Sequence, residues 1–261
     1  MRQSAAPLLP RCYPRVPSRG KVLAVVVLLA MAAGGSAGCR ALPARDEDPT
    51  GSGRVVTDTR AVSGFSAIEL RGVGQALVTL GAEEALSVEA EDNLLPQITT
   101  TVSGDKLVLE LQAGRPTRPI VYRVTARQLA ALSTLGAGDV AASGLAVPRL
   151  QTTQNGAGNI RLDGLNTQEL ESTLAGAGAL DASGTASRLV VRVTGAGKVN
   201  GQDLAVEDAE LTLSGAGKAV VRVSDTLQAK VAGTSSVEYL GNPRVESSVS
   251  GTGTVRPFSG G

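Results

Sequence analysis

The chain has 261 residues, 25 basic against 24 acidic, with 32 glycines, 42% hydrophobic residues, 2% aromatics and no histidine or tryptophan. Without an imidazole it can hold no Ser-His-Asp triad, no Cys-His pair and no HExxH zinc site, so any catalysis would rest on carboxylates or lysine. The glycine excess accompanies a full complement of small aliphatics, a composition that folds and is neither collagen-like nor disordered.

Residues 1–38 carry Arg2, Arg11, Arg15, Arg19 and Lys21 and no acid, then an apolar run from Val22 to Ala33, then small residues up to Cys39. These are the three parts of an export signal. A run of about 12 apolar residues is shorter than the ~20 a spanning helix needs, so residues 1–38 are expected to be a signal peptide. Ser36-Ala37-Gly38-Cys39 resembles a bacterial lipobox, with Ser36 where an aliphatic residue is usual. Cys39 is expected to be lipidated, anchoring the chain to a membrane of the bacterial cell envelope; the alternative is cleavage nearby with Cys39 as a free thiol. Cys12 falls in the removed segment and the rest has no further cysteine, so disulfides do not staple the fold. Loss of residues 1–38 leaves 20 basic and 24 acidic residues, a net of 20 − 24 = −4, which is no nucleic-acid footprint. Residues 39–57, polar with Pro43, Pro49 and a Gly-Ser-Gly, read as a flexible tether.

From residue 58 to 128 the pattern is of short alternating runs: Phe65 to Leu70, Gln75 to Leu80, Leu86 to Ala90, Ile98 to Val102, Lys106 to Leu111 and Pro119 to Thr125. Gly104-Asp105 marks the tip of a hairpin between two of them. This region is expected to begin a stack and cover its first rung.

From 129 to 256 the chain repeats. Gly-Ala-Gly stands at Gly136 to Gly138, Gly156 to Gly158, Gly176 to Gly178, Gly195 to Gly197 and Gly215 to Gly217, and Gly233-Thr and Gly251-Thr-Gly follow in phase. The intervals are 20, 20, 19, 20, 18 and 18 residues. No copy has the third glycine and following helix of a dinucleotide fingerprint, so the glycines read as tight structural turns of a solenoid. Four residues after each corner stand Val140, Ile160, Leu180, Val199, Ala219 and Val237, and before the corners come inward triplets such as Leu170-Ser172-Leu174 and Leu189-Val191-Val193. Thr134 and Gln154 fall on inward positions, so the first rungs are less regular. A second corner is expected at Gly144, Gly164, Gly184 and Gly241. The fold predicted is all-β: a parallel β-solenoid of about six or seven ~20-residue rungs with an N-terminal β cap, each rung too small to bury its own apolar face. Residues 257–261 read as a closing tail.

Gly64-Phe65-Ser66-Ala67-Ile68-Glu69-Leu70, Val88-Glu89-Ala90-Glu91-Asp92-Asn93-Leu94-Leu95-Pro96, the Gly104-Asp105-Lys106-Leu107 turn and the Gly-Ala-Gly chain together resemble the bacterial head GIN domain family, putative auto-transporter adhesins, over about residues 60–256. The resemblance implies an exported β-solenoid, frequently a lipoprotein, and brings no catalytic residues.

Other β-solenoids cleave polysaccharides with clustered acids, but Asp139, Asp163, Asp181 and Asp203 fall at different phases of the repeat and form no convergent pair. The residue after each Gly-Ala-Gly is Asp139, Asn159, Ala179, Lys198 and Lys218, which is no repeated calcium site; no metal and no cofactor is expected. Three positions before each corner stand Ser133, Thr153, Thr173, Arg192, Thr212 and Lys230, a candidate binding face for an envelope glycan or protein, against the simpler reading of a solvated strand face. The chain thus reads first as a non-enzymatic, lipid-anchored adhesin or envelope-binding protein. The alternatives are a polysaccharide-active enzyme and a structural protein that self-assembles through its end rungs.

Overall fold

Buried and exposed side chains alternate through most strands of residues 48–259, the part of the chain that the computed structural model describes, and this period of two sets which residues face the core. The signal segment, Cys39 and the first part of the tether lie outside the described residues.

The N-terminal part comprises β1 (Val55–Arg60), β2 (Ala67–Gly72), β3 (Gln75–Leu80), β4 (Ala85–Glu91), a 3-10 turn Leu95–Gln97, β5 (Ile98–Ser103), β6 (Lys106–Leu111) and β7 (Val121–Ala126). Then come β8 (Ala131–Gly136), β9 (Asp139–Ser143), β10 (Ala146–Gly156), β11 (Asn159–Gly176), β12 (Ala179–Gly195), β13 (Lys198–Gly215), β14 (Lys218–Gly233), β15 (Ser236–Leu240), β16 (Arg244–Gly251) and β17 (Thr254–Pro257). The result is the parallel β-solenoid that the repeat predicts.

Its first flank stacks β6, β2, β8, the C-terminal parts of β10 to β14, and β16 in parallel, with Gly72, Gly136, Gly156, Gly176, Gly195, Gly215, Gly233 and Gly251 in one register. The second flank, after the corner, stacks β7, β3, β9, the N-terminal parts of β11 to β14, β15 and β17. A short third flank aligns Asn166 and Thr167 with Thr185 and Ala186, and these with Ala205 and Val206. Inside, Val140, Ile160, Leu180, Val199, Ala219 and Val237 form one buried column, each at most 3% exposed. Each Val, Ile or Leu of the column contributes about 1.5–3 kcal/mol on burial, and Ala219 less.

Antiparallel strands close the N-terminal end: β5 hairpins onto β6 through Gly104-Asp105, and β4 pairs with β7 and then with β1. The order in space differs from the order in sequence. β2 and β3 lie between β6–β7 on one side and β8–β9 on the other, so Gly72-Val73-Gly74 is a corner of the same column as Gly136 to Gly138. The 64-residue excursion between Gly72 and Gly136 hides that copy from a search for a fixed period.

Three expectations are corrected. The tether does not extend to residue 57, because Arg115 N–H donates to Pro49 O at 2.9 Å, Gly51 N–H to Arg115 O at 3.0 Å, and β1 is a full strand on β4. The second-corner glycines do not form one column: Gly184 lies in register with Leu165, and a register shift between Leu162 and Leu165 takes up the one-residue-shorter repeat that follows. Pro257 belongs to β17, and Phe258 N–H donates to Tyr239 O at 2.8 Å, so the tail is not free from 257 on.

Candidate functional site

At the corner the chain reverses within three residues. Ala157 N–H donates to Gly136 O at 2.9 Å and Ala216 N–H to Gly195 O at 2.9 Å, so each corner hangs on the one below it. The first glycine of each copy has positive φ, 127° at Gly156, and a Cβ built there would stand 2.2 Å from Gly136 O. The second glycine is closed too in the early rungs, where a Cβ at Gly158 would stand 2.0 Å from Gly138 O, and looser at Gly197, where the nearest atom is 3.3 Å away. Where Ser235 replaces the second glycine, its hydroxyl accepts from Gly217 N–H at 3.2 Å. The predicted turn residues Gly136, Gly138, Gly156, Gly158, Gly176, Gly178, Gly195, Gly197, Gly215 and Gly217 thus all sit at this corner.

Ser133, Thr153, Thr173, Arg192, Thr212 and Lys230 form one unbroken outward column of the first flank, paired rung to rung in that order. Below Ser133 the column continues with Glu69, which Lys106 at 2.7 Å and Arg71 at 2.6 Å cover. Burial opposes ionisation of Glu69, but those two cations outweigh it and hold the carboxyl below its ordinary value. Alongside the column runs a ladder of ion pairs: Glu171 binds Arg149 at 3.0 Å and Arg192 at 2.6 Å, and Arg188 binds Glu210 at 3.2 Å. Arg149, together with Arg192, keeps the Glu171 carboxyl low. On the second flank, Lys218 at 2.8 Å and Arg256 at 2.6 Å do the same for Glu238. Ionic contacts of this kind fix the outer surface in place and contribute little to stability.

The acids considered for catalysis do not converge. Asp139 Oδ1 accepts from the backbone N–H and the Nδ2 of Asn159, both at 2.9 Å, and Asp181 Oδ1 accepts from Asn200 Nδ2 at 3.2 Å. Among the described residues no three His, Cys, Asp or Glu side chains gather as metal ligands, and no helix is long and apolar enough to cross a membrane. Tyr122 is fully buried, its hydroxyl pushed up to about 12 by that burial, and Phe65 is 1% exposed, so neither ring is available to stack on a ligand.

Two features escape the sequence. Glu91, 1% exposed, accepts from Gly53 N–H at 2.7 Å and Thr117 N–H at 2.9 Å and from the Thr117 hydroxyl, tying residues 51–53 and 117 to the end of β4; these bonds, the Thr117 hydroxyl first, lower its pKa. The other is a groove of about 800 Å³ along the third flank, between the outward side chains Asn166, Thr185, Ala205 and Arg222 and the next outward row, Ser187, Glu207 and Ser224. Its only advance signal is the fall of the repeat from 20 to 18 residues after Gly215.

Solved structures share this fold. A putative adhesin from Bacteroides fragilis superposes with a TM-score of 0.76 at 24% identity, over 80% of this chain and 99% of that one. A putative lipid binding protein from Parabacteroides distasonis gives 0.69 at 22% identity over 80% and 99%. A putative adhesin from Parabacteroides merdae gives 0.64 at 19% over 81% and 100%. Among curated proteins none matches the chain. The family model described as "Putative auto-transporter adhesin, head GIN domain" matches residues 64–243. That span runs from the glycine before Phe65, through the capped N-terminal end and all five Gly-Ala-Gly corners, to the turn after β15, and the chain belongs to the head GIN domain family.

Proposed function

We propose that the protein is an exported, lipid-anchored, non-enzymatic binding protein that presents its β-solenoid to a component of the bacterial envelope. The observation that carries this reading is the unbroken register of outward side chains along the stack, from Ser133 to Lys230, which supplies a rigid face repeating every ~4.8 Å. A face of that kind suits a repetitive partner, because each rung offers the same geometry again. The adhesin description of the family and the export signal read at residues 1–38 point the same way. Two of the four acids weighed for polysaccharide cleavage, Asp139 and Asp181, are instead engaged with Asn159 and Asn200.

The anchor is tested by intact mass and membrane partitioning of the protein from its host beside Cys39→Ala. The expected result is a lipid adduct at Cys39 and release or non-processing of the variant. A soluble protein with another N-terminus overturns the anchor. The binding role is tested by cosedimentation with isolated host envelopes, and absence of any retention overturns it.

A further inference from the structure

The repeat shortens where the groove lies. β13 carries Gln202, Asp203 and Leu204 between Gly201, which pairs with Val221, and Ala205, which pairs with Arg222, and β14 has no residues to match them. The longer rung therefore stands proud of the shorter one, and the Arg222 Nε braces it by donating to Gln202 O at 2.7 Å. Beneath the two outward rows lies a floor of small buried side chains, Ala186, Val206 and Val223, and Leu240 to Asn242 close the far end. The trough crosses the stack from β11 to the turn after β15, four rung intervals or roughly 19 Å.

Its chemistry restricts the occupant. The polar groups are hydroxyls of Thr185, Ser187 and Ser224 and amides of Asn166 and Asn242; Thr185 donates to Asn166 Oδ1 at 3.4 Å and Ser224 to Val206 O at 3.2 Å, which leaves their oxygens to accept and the Ser187 hydroxyl and the two amide NH2 groups to donate. Its two charges, Glu207 and Arg222, are of opposite sign and cancel, so nothing selects a polyanion. Below the groove β11 to β13 are paired on both sides, and the turn at Leu240 to Asn242 lies against the outer side of β14, so an extended peptide finds little free edge to join. A neutral chain that is polar along its whole length, with hydroxyls at regular intervals, meets all three conditions.

We infer that the third-flank groove is a binding site for a neutral, linear polysaccharide chain, lying along the solenoid axis across β11 to β15. This rests on the envelope-binding reading and gives it a site and a ligand class different from the hydroxyl column of the first flank. Without an aromatic platform each segment binds weakly, and retention grows with the length of the polymer.

The test uses the full chain, with Ala205→Trp and Ser187→Arg, both at exposed groove positions, and Thr153→Arg on the first flank. The probes are an array of linear maltose-, cellulose- and chitin-type oligosaccharides beside oligogalacturonate, and host envelopes untreated, protease-treated or periodate-oxidised. Expected are binding to at least one neutral series, loss on periodate treatment, at least about tenfold weaker binding by both groove variants, and no change for Thr153→Arg. Envelope binding that protease abolishes, that only Thr153→Arg loses, or that goes to oligogalacturonate alone overturns the groove and leaves the envelope-binding reading standing. No retention on array or envelope overturns both. Circular dichroism of the variants separates lost binding from lost fold.

Discussion

The corner glycines are not equivalent, and the difference is measurable one residue at a time. Gly158 would place a Cβ 2.0 Å from Gly138 O, whereas Gly144, at φ 63°, has nothing within 4 Å. Gly144→Ala therefore costs only the left-handed penalty of about 1–2 kcal/mol. Gly158→Ala forces two rungs apart and is expected to cost more than about 3 kcal/mol; urea unfolding of the two variants checks the order. The inward polar residues give a change of opposite sign. Thr134 is fully buried and its Oγ1 has no partner, while on the next rung Gln154 spends its amide on Gly158 O at 2.6 Å. Thr134→Val removes the unpaired hydroxyl without opening a cavity, so it is expected to stabilise the protein by about 1 kcal/mol in the same measurement.

At the scale of elements, the Glu91 carboxylate is one of the ties that hold residues 49–54 to the domain, beside the Arg115 backbone and Asp92. Its ionised form accepts from four donors, the Thr117 hydroxyl and the N–H groups of Gly53, Thr117 and Arg118, so its folded pKa lies below the ordinary 4.5. The stability it supplies is complete above that ordinary value and fades as the pH falls through the lower folded one. In Glu91→Gln the amide NH2 replaces one of the two oxygens and faces either the Gly53 N–H or the Thr117 N–H. Hydrogen exchange at one of those two amides should quicken at neutral pH and change less on acidification than in the wild type. None of this is visible in the sequence, where Glu91 is one acid among several and β1 follows a Pro- and Gly-rich stretch. The strands that were legible are those whose apolar side alone identifies them, such as Gln75 to Leu80 and Lys106 to Leu111. β1 owes its existence to pairing with β4, since its own side chains are half-buried at best. The outward hydroxyl column could be read because one phase fixes it. The groove could not, because it arises from a mismatch between neighbouring rungs, and that is a property of register.

For the molecule as a whole the two ends differ. At the N-terminal end antiparallel strands cover the stack, whereas β16 and β17 have no strand beyond them among the described residues, and Val249, which faces inward by register, is 44% exposed. Stability in a solenoid is close to a sum over neighbours, so a rung with one neighbour opens most readily. Amide exchange should be fastest in β16 and β17, slowest in β12 and β13, and graded between; uniform protection would show that the end is covered in solution. The placement of β2–β3 between β6–β7 and β8–β9 has a mechanical corollary. A force drawing on the C-terminal side can strip β17 and β16 and then continue rung by rung, each step small. A force drawing on residue 48 meets the Glu91 clasp and β1 first, and the strands next in sequence, β2 and β3, are wedged between levels made later in the chain, so they cannot peel away singly. Single-molecule pulling from the two termini should give one large event on the N-terminal side and a train of small ones on the other, so that the proposed N-terminal anchor would load the end that yields last.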